Sequence, residues 1–85
     1  MSDASEALPG VQLLVRDGDG TRLITTLDEA LAYVEAQTDA PHANREGVIF
    51  RLESAHTPEE KHDAANAFRG WLDATGRLIE ARAAR

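Results

Sequence analysis

The sequence predicts a small α+β domain: a β-hairpin followed by three helices and a short final strand, with a small antiparallel or mixed sheet carrying the helices on one face. Two observations carry that expectation. An alternating apolar run leads into Asp-Gly steps near the start of the chain, and two helix-start signatures, Thr26-Leu27-Asp28-Glu29 and Thr57-Pro58-Glu59-Glu60, divide the remainder of the chain.

Val11, Leu13 and Val15 alternate with Gln12, Leu14 and Arg16, the period of a strand with one buried face. Asp17-Gly18-Asp19-Gly20 comes next, and Thr21 to Thr25 is a second β-prone run with Leu23 and Ile24. Asp-Gly steps supply the positive φ that tight hairpins need. The first helix opens at Thr26, whose hydroxyl can take the Glu29 N–H while the Glu29 carboxylate reaches back. Its expected core face is Leu27, Ala30, Leu31, Val34 and Thr38, and Thr38-Asp39-Ala40-Pro41 is expected to end it. Asn44 to His56 reads as helix or strand; helix is preferred, because it puts Val48, Ile49, Leu52 and Ala55 on one face. The third helix starts at Thr57 with proline at its first position and buries Ala64, Ala65, Phe68, Trp71, Leu72 and Thr75. Gly76 reads as its left-handed cap, and Arg77 to Arg82 as a short final strand or tail. A hairpin alone cannot bury its apolar face, so a third strand with helices over one side is the economical arrangement.

At 85 residues there is room for one domain, expected over 11–82 between a flexible segment 1–10 and a tail 83–85. Leu, Ile, Val and Phe make only 18 of the 85, so the core is lean. Fifteen acids against nine bases, a net charge of −6, argue against direct nucleic-acid binding and against anionic membranes. The acids are uneven: residues 1–42 hold eight acids and two bases, and residues 43–85 hold seven of each. The absence of cysteine excludes disulfides, cysteine-ligated zinc and a thiol nucleophile. No basic, apolar leader opens the chain and no apolar run approaches a membrane span, so the expected location is cytoplasmic.

Thr26-Leu27-Asp28-Glu29-Ala30-Leu31, Leu52-Glu53-Ser54-Ala55 and the stretch Ala64 to Gly76 with Ala67-Phe68 resemble an uncharacterised family of short bacterial proteins, domain-of-unknown-function family 982. The resemblance spans about residues 11–80. Members often have Trp-Pro after the first helix, a cysteine in the middle helix and an arginine at the place of Ala65, and this chain has none of these. The resemblance implies a fold and no activity or catalytic residue.

No metal or cofactor site is expected. His56 and His62 straddle a helix start, His42 stands apart, and His62 and Asp63 are neighbours that point in different directions on a helix. Asp17-Gly18-Asp19-Gly20 is not a calcium loop, since Arg22 stands where the loop needs its sharp-turn glycine. No helix starts directly after Gly18 and Gly20, so they form no phosphate loop. Ser5 and Ser54 lack a Gly-flanked elbow, and Thr26 and Thr57 are engaged as caps.

The informative anomaly is Phe50. On a helix it lies about 160° from the mean of Val48, Ile49, Leu52 and Ala55, beside Ala43, Gly47 and Ser54. An aromatic framed by small residues on a solvent face has the composition of a contact anchor, the competing reading being burial inside the domain. Ala67, Gly70 and Ala74, beside Asp63, form a small-residue stripe that suits close approach of another backbone, more readily within the chain than between chains. Tyr33, off the expected core face of the first helix, is a weaker contact candidate.

The expected function is therefore non-enzymatic protein contact, as a homodimer through Phe50, Gly47 and Ser54 with Glu46, Arg51 and Glu53 as charged rim, or contact with another protein. The alternative is an acidic inhibitor or nucleic-acid mimic that uses Asp17, Asp19, Asp28, Glu29, Glu35 and Asp39 against a basic surface.

Overall fold

A computed structural model describes residues 11–37 and 45–83. The elements run β1 (Val11–Asp17), β2 (Gly20–Ile24), α1 (Leu27–Ala36), α2 (Arg45–Ser54), α3 (Pro58–Ala74) and β3 (Leu78–Ala83). The sheet is antiparallel throughout, in the order β2-β1-β3. The fold class expected from the sequence is the one observed. β3 extends one residue beyond the expected boundary at 82. The expected N-terminal segment 1–10, the helix-ending stretch Thr38 to Pro41, and the core position Thr38 lie outside the described residues, as do Asp39, His42 and Ala43.

Asp17 pairs with Gly20, so the hairpin loop is Gly18-Asp19, with a positive φ of 61° at Gly18 alone. Glycine at the first of two loop positions is the demand of a type II′ turn, whose twist matches that of the strands. Leu13, Val15 and Ile24 are fully buried on the helix-covered side of the sheet. Between Leu14/Val15 the pairing with β3 shifts: Leu14 faces Glu80 and Val15 faces Leu78, which leaves Ile79 as the extra residue of a bulge. That shift lets Leu78 pack against the core.

Thr26 caps α1 by accepting the Glu29 N–H at 3.1 Å. The Glu29 carboxylate closes one residue earlier than the expected box, on the Thr25 N–H at 2.8 Å and the Thr25 hydroxyl at 3.1 Å. At α3 both halves of the capping box form, Thr57 with the Glu60 N–H and Glu60 with the Thr57 N–H, each at 3.1 Å. Gly76, with φ 74°, ends α3: its N–H donates to the Asp73 carbonyl and the Arg77 N–H to the Leu72 carbonyl at 2.8 Å. This pair of bonds is the Schellman arrangement that glycine's left-handed freedom permits.

The core joins both layers. Phe68, Trp71 and Leu72 of α3 meet Tyr33 and Val34 of α1 and the inward residues of the sheet. Tyr33 stands edge-on to Phe68 and to Trp71, with ring centroids 6.3 and 6.4 Å away. α2 packs against α1 and α3 through Val48 and Leu52, with Ile49 and Ala55 half-buried at its margin. The helix reading of this ambiguous stretch holds, with the expected face inward. Arg45, at the start of α2, donates to the Val34 carbonyl at 3.2 Å and the Glu35 carbonyl at 2.9 Å. It thereby serves the C-terminus of α1, which has no basic residue of its own in its last turn.

Two expectations are corrected. Tyr33 is not off the core: it is 2% exposed and its hydroxyl donates to the Arg16 carbonyl on the hairpin, so it is no contact candidate. A tyrosine can be buried where its hydroxyl finds an acceptor, and here β1 supplies one across the sheet–helix interface. Nor does a neighbouring backbone approach Gly70 within the described chain, since a Cβ placed there would meet nothing within 4 Å. Gly70 and Ala74 face solvent, and only Ala67 of that stripe packs against the core.

Candidate functional site

The outward face of α2 carries the candidate site. With Val48 and Leu52 drawn into the core, the helical repeat forces Phe50 outward, and it is 68% exposed. Burial of Phe50 inside the domain is thereby excluded. Taking ~100° per residue, Gly47 and Ser54 flank it on one side and Glu46 and Glu53 on the other, all four within about 60° of it. Gly47 is half-buried; Glu46, Glu53 and Ser54 are exposed.

Local bonding gives this face a defined relief. The Ser54 hydroxyl donates to the Phe50 carbonyl at 2.7 Å, so it lies back along the helix rather than beside the ring. Gly47 leaves the turn before Phe50 without a side chain. Arg51 turns aside from the ring, with its Nε 3.4 Å from Asp63 of α3 and Nη1 reaching the Gly47 carbonyl at 3.4 Å. Both partners of the Arg51–Asp63 pair are largely exposed, so it orients the arginine more than it stabilises the fold. Phe50 is therefore bordered by two carboxylates on one flank and by low relief on the other, with Arg51 held on the α3 side.

The acids of the alternative reading do not gather. Asp17 and Asp19 sit at the hairpin turn, near the C-terminal part of α1, where the Arg16 carbonyl takes the Tyr33 hydroxyl. Asp28 and Glu29 sit at the opposite end of α1, and Glu29 is occupied at the cap, where the Thr25 N–H above all holds its carboxyl below the ordinary value. Glu35 is exposed in the last turn. His56 and His62 are exposed, the His56 N–H donating to Glu60 at 2.9 Å.

Among the described residues, open clefts lie beside the helices. One of about 340 Å³ lies between the end of α2 and the starts of α1 and α3, where Asp28, Glu53, His56 and Lys61 meet Leu27 and Leu52. Another, about 290 Å³, lies at the ends of α1 and α3 against the hairpin, bordered by Arg16, Tyr33, Gln37, Thr75 and Arg77. Arg77 lies over the Trp71 ring at 5.3 Å and reaches Gln37 at 3.4 Å, so its role there is to cover the indole and join two helix ends.

One surface has no counterpart in the sequence reading. On the sheet face away from the helices, Leu14 pairs with Leu23, which is 39% exposed, and Ile79 of the bulge is 43% exposed. With Phe50 these are the exposed large apolar residues of the described chain. The signal was present in the adjacent pairs Leu13-Leu14 and Leu23-Ile24, each of which must put one leucine or isoleucine outward. No helix of the described residues is long and apolar enough to cross a membrane. Comparison with models of known protein families, with curated proteins and with solved structures finds no match to this chain.

Proposed function

We propose that this chain is a small, non-enzymatic protein-interaction domain that self-associates through the outward face of α2, with Phe50 at the centre of the contact. The observation that carries the reading is the 68% exposure of Phe50 on a helix whose other large apolar residues turn inward. Fully covering an aromatic of this size is worth about 1.5–3 kcal/mol by area, enough to make it the anchor of a modest interface. Glu46 and Glu53 on its flank, with Arg51 nearby, supply charges that favour one partner and register over others. A cytoplasmic location accords with this reading, as does the resemblance to domain-of-unknown-function family 982, which implies a fold and no activity.

Phe50→Asp tests it by sedimentation velocity with circular dichroism alongside. The charged variant should lose mass relative to the wild type while keeping its helicity. Unchanged mass with unchanged helicity overturns the α2 contact.

A further inference from the structure

We propose that the open edge of β3 pairs antiparallel with β3 of a second copy, about a two-fold axis at Ala81, so that two three-stranded sheets join into one of six strands. Among the described residues β3 is an edge strand, in the order β2-β1-β3, and Ile79, Glu80, Ala81 and Arg82 are all exposed. Edge strands offer unpaired N–H and C=O groups in a row, and pairing by a second strand satisfies them.

The ladder sets which groups are free. The Arg16 N–H donates to the Arg77 carbonyl at 2.9 Å, and bonded and non-bonded pairs alternate along an antiparallel ladder. With the bulge at Ile79 counted as one step opposite Leu14, the Leu13–Ala81 pair is a non-bonded one. The backbone groups of Ala81 therefore point to the open side. A two-fold axis there lets Ala81 exchange both bonds with its own copy.

Charge then selects this partner. Glu80 and Arg82 flank Ala81 and share the sheet face away from the helices, opposite Leu14 and Gln12. An axis at Ala81 sets Glu80 of each copy directly against Arg82 of the other, at the non-bonded positions where facing side chains come closest. The pair that already exists within one strand, Arg82 Nε to Glu80 at 3.0 Å, becomes half of an alternating four-charge cluster. The other edge lacks this property: β2 carries one charge, Arg22, and self-pairing centred there would oppose two guanidinium groups. Charges and a bulge on an edge can also discourage pairing. Here the charges are self-complementary, and the bulge residue Ile79 lies just outside the Glu80–Arg82 segment that the axis brings together.

This contact is separate from the α2 face, and the two are tested apart. In the Phe50→Asp background, Ala81→Cys introduces the only thiol of the chain, and mild oxidation should trap a covalent dimer well above the level given by Thr21→Cys on β2. Adding Glu80→Arg, which sets like charges opposite each other twice by symmetry, should weaken pairing about tenfold. Adding Arg82→Glu to that variant should restore it. Circular dichroism must remain unchanged across the series; a variant that loses its spectrum is replaced by the milder Glu80→Gln, for which partial weakening is expected. Trapping at the Thr21→Cys level, or a charge reversal that the second reversal does not rescue, overturns the β3 pairing without bearing on Phe50.

Discussion

Gly70→Ala should stabilise this protein. Gly70 lies inside α3, faces solvent, and an added Cβ there would meet nothing within 4 Å. No steric cost offsets the gain, so the full difference in helix propensity applies, about 1 kcal/mol. The gain arises mostly from the unfolded chain, which has fewer conformations to lose when alanine replaces glycine. For a domain of this size ~1 kcal/mol raises Tm by roughly 4–8 °C. Gly76→Ala is the matched opposite: there is open space there too, but φ is 74°, where a side chain costs ~1–2 kcal/mol. Space is the same at both sites and only backbone conformation differs, so opposite signs isolate the backbone term.

The assay is urea unfolding followed by circular dichroism at two protein concentrations, with Phe50→Asp as background so that association through α2 does not enter ΔG. A rise in midpoint with unchanged slope for Gly70→Ala, and a fall for Gly76→Ala, are expected. A Gly70→Ala variant that is neutral or destabilising at both concentrations would refute an unobstructed, solvent-facing position for Gly70. A loss that appears only at the higher concentration would instead mean that another copy approaches α3 at the stripe Ala67, Gly70 and Ala74.

Tyr33→Phe should cost about 1 kcal/mol at pH 7, because it removes the hydroxyl that donates to the Arg16 carbonyl and leaves the ring packing intact. Desolvation raises the Tyr33 hydroxyl above its ordinary value of 10.0, so the neutral form is favoured in the fold; wild-type stability should fall as pH rises past that value, and the slope should be shallower in Tyr33→Phe. Glu29 is shifted the other way, held below 4.5 chiefly by the Thr25 N–H, so its contribution is present above that pH and is lost as the pH falls through its lowered value. Glu29→Gln should therefore cost about 0.3–1 kcal/mol at pH 7 and less at pH 3, read from urea midpoints at the two pH values. Phe68→Ala empties a fully buried site between Tyr33 and Trp71 and should cost about 3–5 kcal/mol, a large share of the roughly 4–13 kcal/mol expected for a chain of this length; retention of a cooperative melt near the wild-type Tm would contradict the core described.

The signals legible in the sequence divide by range. Thr26, Thr57-Pro58 and Gly76 act on backbone groups a few residues away, so their spacing alone locates the helix ends. Even there Glu29 shows a limit, since its carboxylate settles on Thr25, a choice made by the strand that delivers the chain into α1. The inward faces of α2 and α3 were legible from periodicity, and Phe50 could be placed because a helix that buries Val48 and Leu52 must turn it outward. Tyr33 is buried, against the spacing of the first helix's apolar residues, because α1 is rolled toward it. The arc through Ala30, Tyr33 and Val34 is buried, while Leu31 is left half-exposed. What justifies that roll is the acceptor on Arg16, seventeen residues earlier, which no local pattern encodes. The surroundings of Gly70 are likewise set by residues distant in sequence. A glycine inside a helix announces a cost, but whether anything approaches it is decided by the rest of the fold. The outer leucines needed strand register to become a surface, since only the Leu14–Leu23 pairing brings them together.

The two functional readings can be weighed on distance. An acidic mimic works through a field that several carboxylates raise together. Asp17 and Asp19 stand at one end of α1 and Asp28 at the other, and ten residues of helix span about 15 Å. At physiological ionic strength exposed charges separated by more than about 8 Å are largely screened from each other. Arg16 and Arg22 on the hairpin dilute the nearer group further, since both are exposed beside it. An apolar contact has no such requirement of range. Phe50 acts at the distance of touch, and the α2 face already places it proud of Gly47 with carboxylates at one margin. In high salt the two readings separate: a contact centred on Phe50 should persist or strengthen in sulfate, whereas binding carried by Asp17, Asp19 and Asp28 should fall away. Association that collapses between about 50 and 500 mM salt, roughly the range over which screening shortens severalfold, would move the functional surface from α2 to the hairpin and the start of α1.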